Sequence, residues 1–305
     1  MANEIYTGGG EGAALFDSSR IEALFIETIG DRDYSVLAHP AIMYLGDMSG
    51  AMTAVATIPV VNLSDDEFAS LTEIQAGSPS DITTGVASIT VARRYLERDL
   101  SDFARALDGT GALDEMGLAD GMMTGANLTM LSLVVAVGAT FTTVKGTSGA
   151  TLTHATMLTV KQALRTARVK GPYVCILNPK QFNEWETDFN SLGGAVQMKT
   201  DQAAQMARLT GGSYVGSWDG VDFFITDKVI TDGTDLNGCM FGMGAVGWKS
   251  LSSRPGLGQI SIVDAGFVQI EATRTANKSL SALVGNMWIG VGKLQEGGVR
   301  IRSVD

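Results

Sequence analysis

The chain has 305 residues, 45% of them hydrophobic and 18% charged; it can bury one large core or two smaller ones and is too apolar for a disordered chain. Its net charge is −11, so it repels phosphate backbones and is not built to grip nucleic acid irrespective of sequence. Gly is plentiful at 37 residues and Pro scarce at 6, a mix that suits turns and close backbone approaches, not Pro-rich linkers.

The start, Met1 to Tyr6, is acidic and runs into Gly8-Gly9-Gly10, with neither the basic nor the apolar region of a secretory signal. The sequons at Asn62, Asn127 and Asn277 are therefore read as chance. Residues 1 to 38 look like an arm, in which Phe16, Phe25 and Ile26 need a partner surface. Residues 51–63 are β-rich, with Thr53, Val55 and Thr57 on one face, and Pro59 marks an edge strand or its end. After Asp65-Asp66-Glu67 and the turn at Gly77-Ser78-Pro79, residues 82–95 are again β-rich. Two strands around a long solvated connection predict a projecting hairpin, which is marginal alone and needs support.

From Leu96 the spacing of Leu96, Leu100, Phe103 and Leu107 predicts a helix, which glycines from Gly109 to Gly125 divide into pieces. The most apolar run, 126–141, is shorter than the ~20 residues of a membrane span and is read as a buried core segment, helical over Ala126 to Val137. Thr151 or Thr153 can cap the next helix, through Leu158, Val160, Leu164 and Ala167. Lys161, Arg165, Arg168 and Lys170 line its polar side, and Gly171-Pro172 ends it. Tyr173 to Leu177 is a short buried strand, Asn178 a cap and Pro179 the first residue of another helix. Residues 216–226 read as a turn, with Asp219-Gly220, and then a strand; further strands are predicted in 260–271, 283–291 and 297–302, the last with outward arginines, which makes the chain α+β.

Several residues invite a chemical reading. Gly242-Met243-Gly244-Ala245-Val246-Gly247 is a literal GxGxxG, but Ser250 to Pro255 leaves no room for the helix a dinucleotide site requires. Gly138 to Lys145 ends on a lysine followed by Gly146, not the Ser or Thr of a phosphate loop. The two histidines, His39 and His154, stand without carboxylates at metal-binding spacing or an adjacent nucleophile. Asp65-Asp66-Glu67 and Asp232 to Asp235 read as solvated turns. Cys175 and Cys239 form no CxxC pair; two buried thiols or one disulfide both fit, and free Cys is the commoner core residue. No catalytic, cofactor or metal residue is assigned.

The order of these segments resembles the major capsid proteins of tailed bacteriophages, whose Hong Kong phage fold is shared with encapsulins and the herpesvirus capsid floor. The resemblance rests on the β–long loop–β stretch 51–95 running into the segment from Leu96, and on the helix Leu152 to Arg168. It rests further on Val174-Cys175-Ile176-Leu177-Asn178-Pro179-Lys180-Gln181-Phe182, on Gly212 to Thr226, and on Phe267-Val268-Gln269-Ile270-Glu271-Ala272-Thr273-Arg274. It implies an N-terminal arm (1–40), an extended β-hairpin loop (41–95), a peripheral domain with a long spine helix (96–145 and 256–295) and an axial domain (146–255 and 296–305). It implies a non-enzymatic subunit that assembles with copies of itself into hexamers and pentamers, closing an icosahedral head around double-stranded DNA without sequence-specific binding. Assembly in the host cytoplasm, residence in the virion, and portal, scaffolding and decoration proteins as partners follow from the same resemblance, with no membrane involved. No crosslinking residue is carried over. An encapsulin-like nanocompartment subunit is the alternative, and a nicotinamide-dependent oxidoreductase the distant third.

Overall fold

The structure, a computed structural model, describes residues 36–48, 53–62, 83–101, 115–191, 214–251, 261–264, 268–275 and 280–305. Most of the predicted arm and the acidic loop 63–82 lie outside these residues.

The described chain opens with a single 3-10 turn, Val36–Ala38. It continues through β1 (Ile42–Asp47), the hairpin strands β2 (Val55–Asn62) and β3 (Thr83–Thr90), and β4 (Ala92–Ser101). A long helix α1 (Glu115–Gly138) follows, then β5 (Val144–Lys145), helix α2 (His154–Thr166), β6 (Tyr173–Leu177) and helix α3 (Pro179–Ser191). The remainder is β: β7 (Tyr214–Trp218), β8 (Val221–Ile225), β9 (Ile230–Thr231), β10 (Asp235–Phe241), β11 (Val246–Ser250), β12 (Ser261–Asp264), β13 (Val268–Thr275), β14 (Leu280–Lys293) and β15 (Gly298–Val304).

The helix predicted from Leu96 is corrected: residues 92–101 are strand β4, paired antiparallel with β14 from Ala92↔Ile289 to Ser101↔Leu280. The leucine spacing misleads because Leu96 has its own demand, packing on the core beside Gly125. A ten-residue ladder to β14 outweighs a weak local propensity. The long helix is described from Glu115 and contains the apolar run to Gly138; the predicted positions Phe103 and Leu107 lie outside the described residues.

Two sheets organise the fold. Six strands form one, in the order β1-β11-β14-β13-β12, with β4 on the other side of β14. Seven form the second, in the order β5-β15-β10-β6-β8-β7, with β9 beside β10. Between them lies the main core. Leu131, Val134 and Val135 of α1 meet Ile42, Val246 and Ile289 of the first sheet, and Ile176, Phe224, Cys239 and Phe241 of the second. Helices α2 and α3 cover the other face of the second sheet through Met157, Leu164, Phe182 and Trp185, against Cys175, Leu177, Phe223 and Met240. Trp185 is fully buried and stacks on Phe223 at 4.9 Å.

Local chemistry fixes the ends of α2 and α3. Thr153, one of the two expected caps, accepts from the Thr156 N–H. Two carboxylates from α3 complete the same helix start: Glu184 accepts from the Leu152 N–H and Asp188 from the His154 N–H. Helix α2 stops at Thr166, before Gly171-Pro172, because Arg168 takes a left-handed φ of 53° and Val169 N–H donates to the Leu164 carbonyl. Asn178 caps α3 as expected, accepting from the Lys180 N–H, and its own N–H donates to Gln181 Oε1.

Candidate assembly surface

Asp65-Asp66-Glu67 lies outside the described residues; within them, the residues that invited a chemical reading have structural occupations. The GxGxxG segment is the turn between β10 and β11, so a strand follows it instead of a helix. Its Gly242, Met243 and Ala245 N–H groups donate to Gly297, Lys170 and Gly242 carbonyls, which leaves none of these three for a phosphate. Lys145 lies in β5, opposite Ile301.

His39 and Asp222 are brought together from far apart in sequence, with Nε2 and Oδ2 2.7 Å apart. The Ala41 N–H donates to Nδ1, so the neutral ring carries its proton on Nε2 and donates to the carboxylate. Both ring nitrogens are thereby engaged, and no lone pair remains for general-base work. Burial pushes the Asp222 carboxyl up, but hydrogen bonds from His39, Ser217 and Tyr214 outweigh it and hold the group below its ordinary value. His154 packs its ring against Phe189 at 4.8 Å and Trp218 at 5.1 Å.

Asp232 and Asp235 make the expected turn. Asp232 accepts from the Thr234 and Asp235 N–H groups, and these backbone bonds lower its carboxyl. Asp235 is buried, accepts from the Gly149 N–H and lies 3.5 Å from Arg302 Nε. Arg300 and Arg302 are correspondingly half-buried, not solvent-facing. Among the described residues no group of three His, Cys, Asp or Glu side chains could hold a metal ion. Cys175 and Cys239 are both free and buried. They belong to different cores on opposite faces of the second sheet. That removes the disulfide alternative, because neighbouring strands pair Cys175 with Met240 and Cys239 with Ile176.

Lys161 departs from expectation. It sits on α2 but is only 3% exposed, and its ammonium contacts the carbonyl and the carboxylate of Asp219. Asp219 and Gly220 have φ of 49° and 77°, the backbone of a type I′ turn joining β7 to β8. The hydrogen bond from Lys161 holds the Asp219 carboxyl below its usual value.

What remains unoccupied is surface suited to contact. The β2–β3 hairpin pairs from Val55↔Thr90 to Asn62↔Thr83. Pro59 is tolerated within β2 because each strand of a two-stranded hairpin is an edge, as its position suggested. One face carries Ala56, Ala87 and Ile89, all buried; the other presents Val55, Thr57, Pro59 and Val86, with Val86 72% exposed. Beyond Val91 the chain becomes β4, an edge of the first sheet among the described strands. There Tyr95 is 71% exposed between Arg93, Arg94, Glu97 and Arg98. Arg93 is anchored on the buried Asn286 by bonds of 2.9 and 2.6 Å to Oδ1. Tyr and Arg together are the composition of interface anchors. Sequence reading placed Arg93-Arg94-Tyr95 at the end of the second β-rich run, and missed β4 as a surface because the residues from Leu96 onward were read as a helix.

No protein-family profile and no curated protein matches the sequence. Solved structures do match. The capsid of Ralstonia phage GP4 is similar over 87% of this chain and 87% of its own, with a TM-score of 0.57 and 10% identity. A chain of Mycobacterium phage Che8 is similar over 88% and 90%, at 0.54 and 14%. The holo-SrpI encapsulin complex of Synechococcus elongatus PCC 7942 is similar over 85% and 84%, at 0.57 and 11%. The likeness is one of fold: the chain has the α+β capsid fold that its segment order suggested.

Proposed function

We propose that the chain is the major capsid protein of a tailed bacteriophage, a structural subunit that assembles with its own copies into an icosahedral head around double-stranded DNA. The observation that carries this reading is fold likeness over nearly nine-tenths of both chains to the capsid of a Ralstonia phage. A hairpin with an exposed outer face and an edge strand bearing Tyr95 among arginines supply contact surface of the kind repeated interfaces need. The hairpin and arm of each subunit lie over its neighbours in hexamers and pentamers; portal, scaffolding and decoration proteins complete the particle in the host cytoplasm.

In this reading the six-stranded sheet with α1 is the peripheral part and the seven-stranded sheet with α2 and α3 the axial part. Strands β1 and β11 go with the peripheral sheet, although 41–95 and 146–255 were divided otherwise by sequence. An encapsulin-like compartment is the second reading, favoured by a TM-score equal to that of the phage capsid.

Size-exclusion chromatography and electron microscopy of the purified chain test the proposal. Closed particles tens of nanometres across are expected, and a small stable oligomer would overturn both shell readings. Particles from infected cells that protect double-stranded DNA from nuclease support the phage head; particles holding a protein cargo support the compartment.

A further inference from the structure

Among the described residues, the hairpin meets the first sheet at its root. Strand β4 ends its ladder at Ala92, opposite Ile289, and the next residues back along the chain are Val91, Thr90 and Ile89. These leave the plane of the sheet and cross β14 beyond the end of the ladder. The crossing lies over two glycines. A Cβ at Gly290 would stand 2.4 Å from the Thr90 carbonyl oxygen, and one at Gly292 would stand 2.7 Å from Ile89 Cγ1. Neither glycine is needed for a turn: both are paired inside β14, Gly290 with Lys249 and Gly292 with Gly247. The missing side chains are what let β3 descend onto β14. Ile89 is fully buried there, and its β-branched side chain is stiff. Met48, Ala56 and Val91 form a small separate core with Leu251 and Trp288, which seats the same root.

We infer that Gly290 and Gly292 set the direction in which the β2–β3 hairpin leaves the sheet, and are positioning residues for assembly. The second half of this statement rests on the shell reading; the first does not. A methyl at Gly290 forces the root to move by about 1 Å to reach ordinary contact. Levered over a strand spacing of about 4.8 Å, that moves Val86, about 13 Å along the strand, by about 3 Å. The ladders of β14 to β11, β13 and β4 need not change, so the chain stays folded while the hairpin points elsewhere.

The two glycines differ in what opposes them, and that difference makes the test specific. At Gly292 the nearest obstacle is the Ile89 side chain, whereas at Gly290 it is backbone. Spin labels at Val86→Cys and Ile230→Cys, both exposed positions, report the hairpin direction in full-length chain diluted with unlabelled protein. Gly290→Ala and Gly292→Ala are expected to shift the distance by about 3 Å and to yield misshapen particles or none. Adding Ile89→Ala should restore the distance and the particles for Gly292→Ala but not for Gly290→Ala. An unchanged distance in Gly292→Ala, or no restoration by Ile89→Ala, overturns the inference, also where Gly290→Ala fails to fold. Shifted distances with normal particles overturn the assembly role alone. Shifted distances in a chain whose wild type forms no particles leave the positioning standing and sink the shell reading.

Discussion

Gln181 shows how much one residue can join. Its fully buried amide donates to the Leu236 carbonyl at 3.1 Å and Ser303 Oγ at 2.9 Å, and accepts from the Asn178 N–H. It therefore ties the start of α3 to β10 and β15. Gln181→Ala leaves buried partners unpaired and should cost about 2–4 kcal/mol in denaturant unfolding. Asp222 gives a pH prediction. Its folded-state value is lowered, so its contribution is fully present above the unfolded value of about 3.9 and is lost as pH falls through the folded one. Asp222→Ala should destabilise by roughly 2 kcal/mol at neutral pH, and the gap to wild type should narrow below about pH 4. The thiols behave oppositely: burial pushes Cys239 up to about 12 and raises Cys175. Neither should react with a thiol reagent in the native chain, and both should after unfolding.

At the scale of elements, β4 and the β7–β8 hairpin are held by different means. Tyr95 projects from β4 into solvent, so Tyr95→Ala should leave chain stability within about 0.5 kcal/mol while weakening assembly, read by thermal unfolding beside particle yield. The β7–β8 turn is pinned to α2 by a buried lysine. Lys161→Met keeps the packing and removes the desolvation cost, so it should be close to neutral, whereas Lys161→Ala leaves a void and should destabilise by about 2 kcal/mol or more. Unfolding curves of the two variants separate the packing of the stem from its charge. The Asp-Gly turn was readable in the sequence as a turn before a strand. Its lysine was not, because that contact depends on α2 lying across the turn, and partner strand β7 shows itself only through its pairing with β8.

At the scale of the whole molecule, α1 is the shared wall of the two sheets, and the main core crosses from one sheet to the other through it. The six-stranded and seven-stranded sheets are thus joined by a common core. The net charge of −11 has its own consequence. If the chain encloses DNA, it does so as a wall, and the purified protein should not retard duplex DNA in a gel even at low salt. No helix among the described residues is long and apolar enough to cross a membrane, and the run 126–141 gives Met130, Leu131, Val134, Val135 and Phe141 to the main core, as its reading as a core segment expected.

Sequence alone determined what is local or ordered along the chain. The Asn178-Pro179 helix start, a threonine cap at Thr151 or Thr153, the hairpin strands and the failure of GxGxxG to precede a helix all depend on neighbours within a few residues. The order of segments suggested the fold. Tertiary structure decided whatever needed two distant segments at once. It made β4 a strand because β14 lies beside it, buried Lys161 because the Asp219 turn reaches it, and separated the cysteines across a sheet. It also paired His39 with Asp222 and laid Ile89 over glycines some two hundred residues further along. Periodicity reports the face a segment buries; only the partner that covers the face decides what the segment becomes.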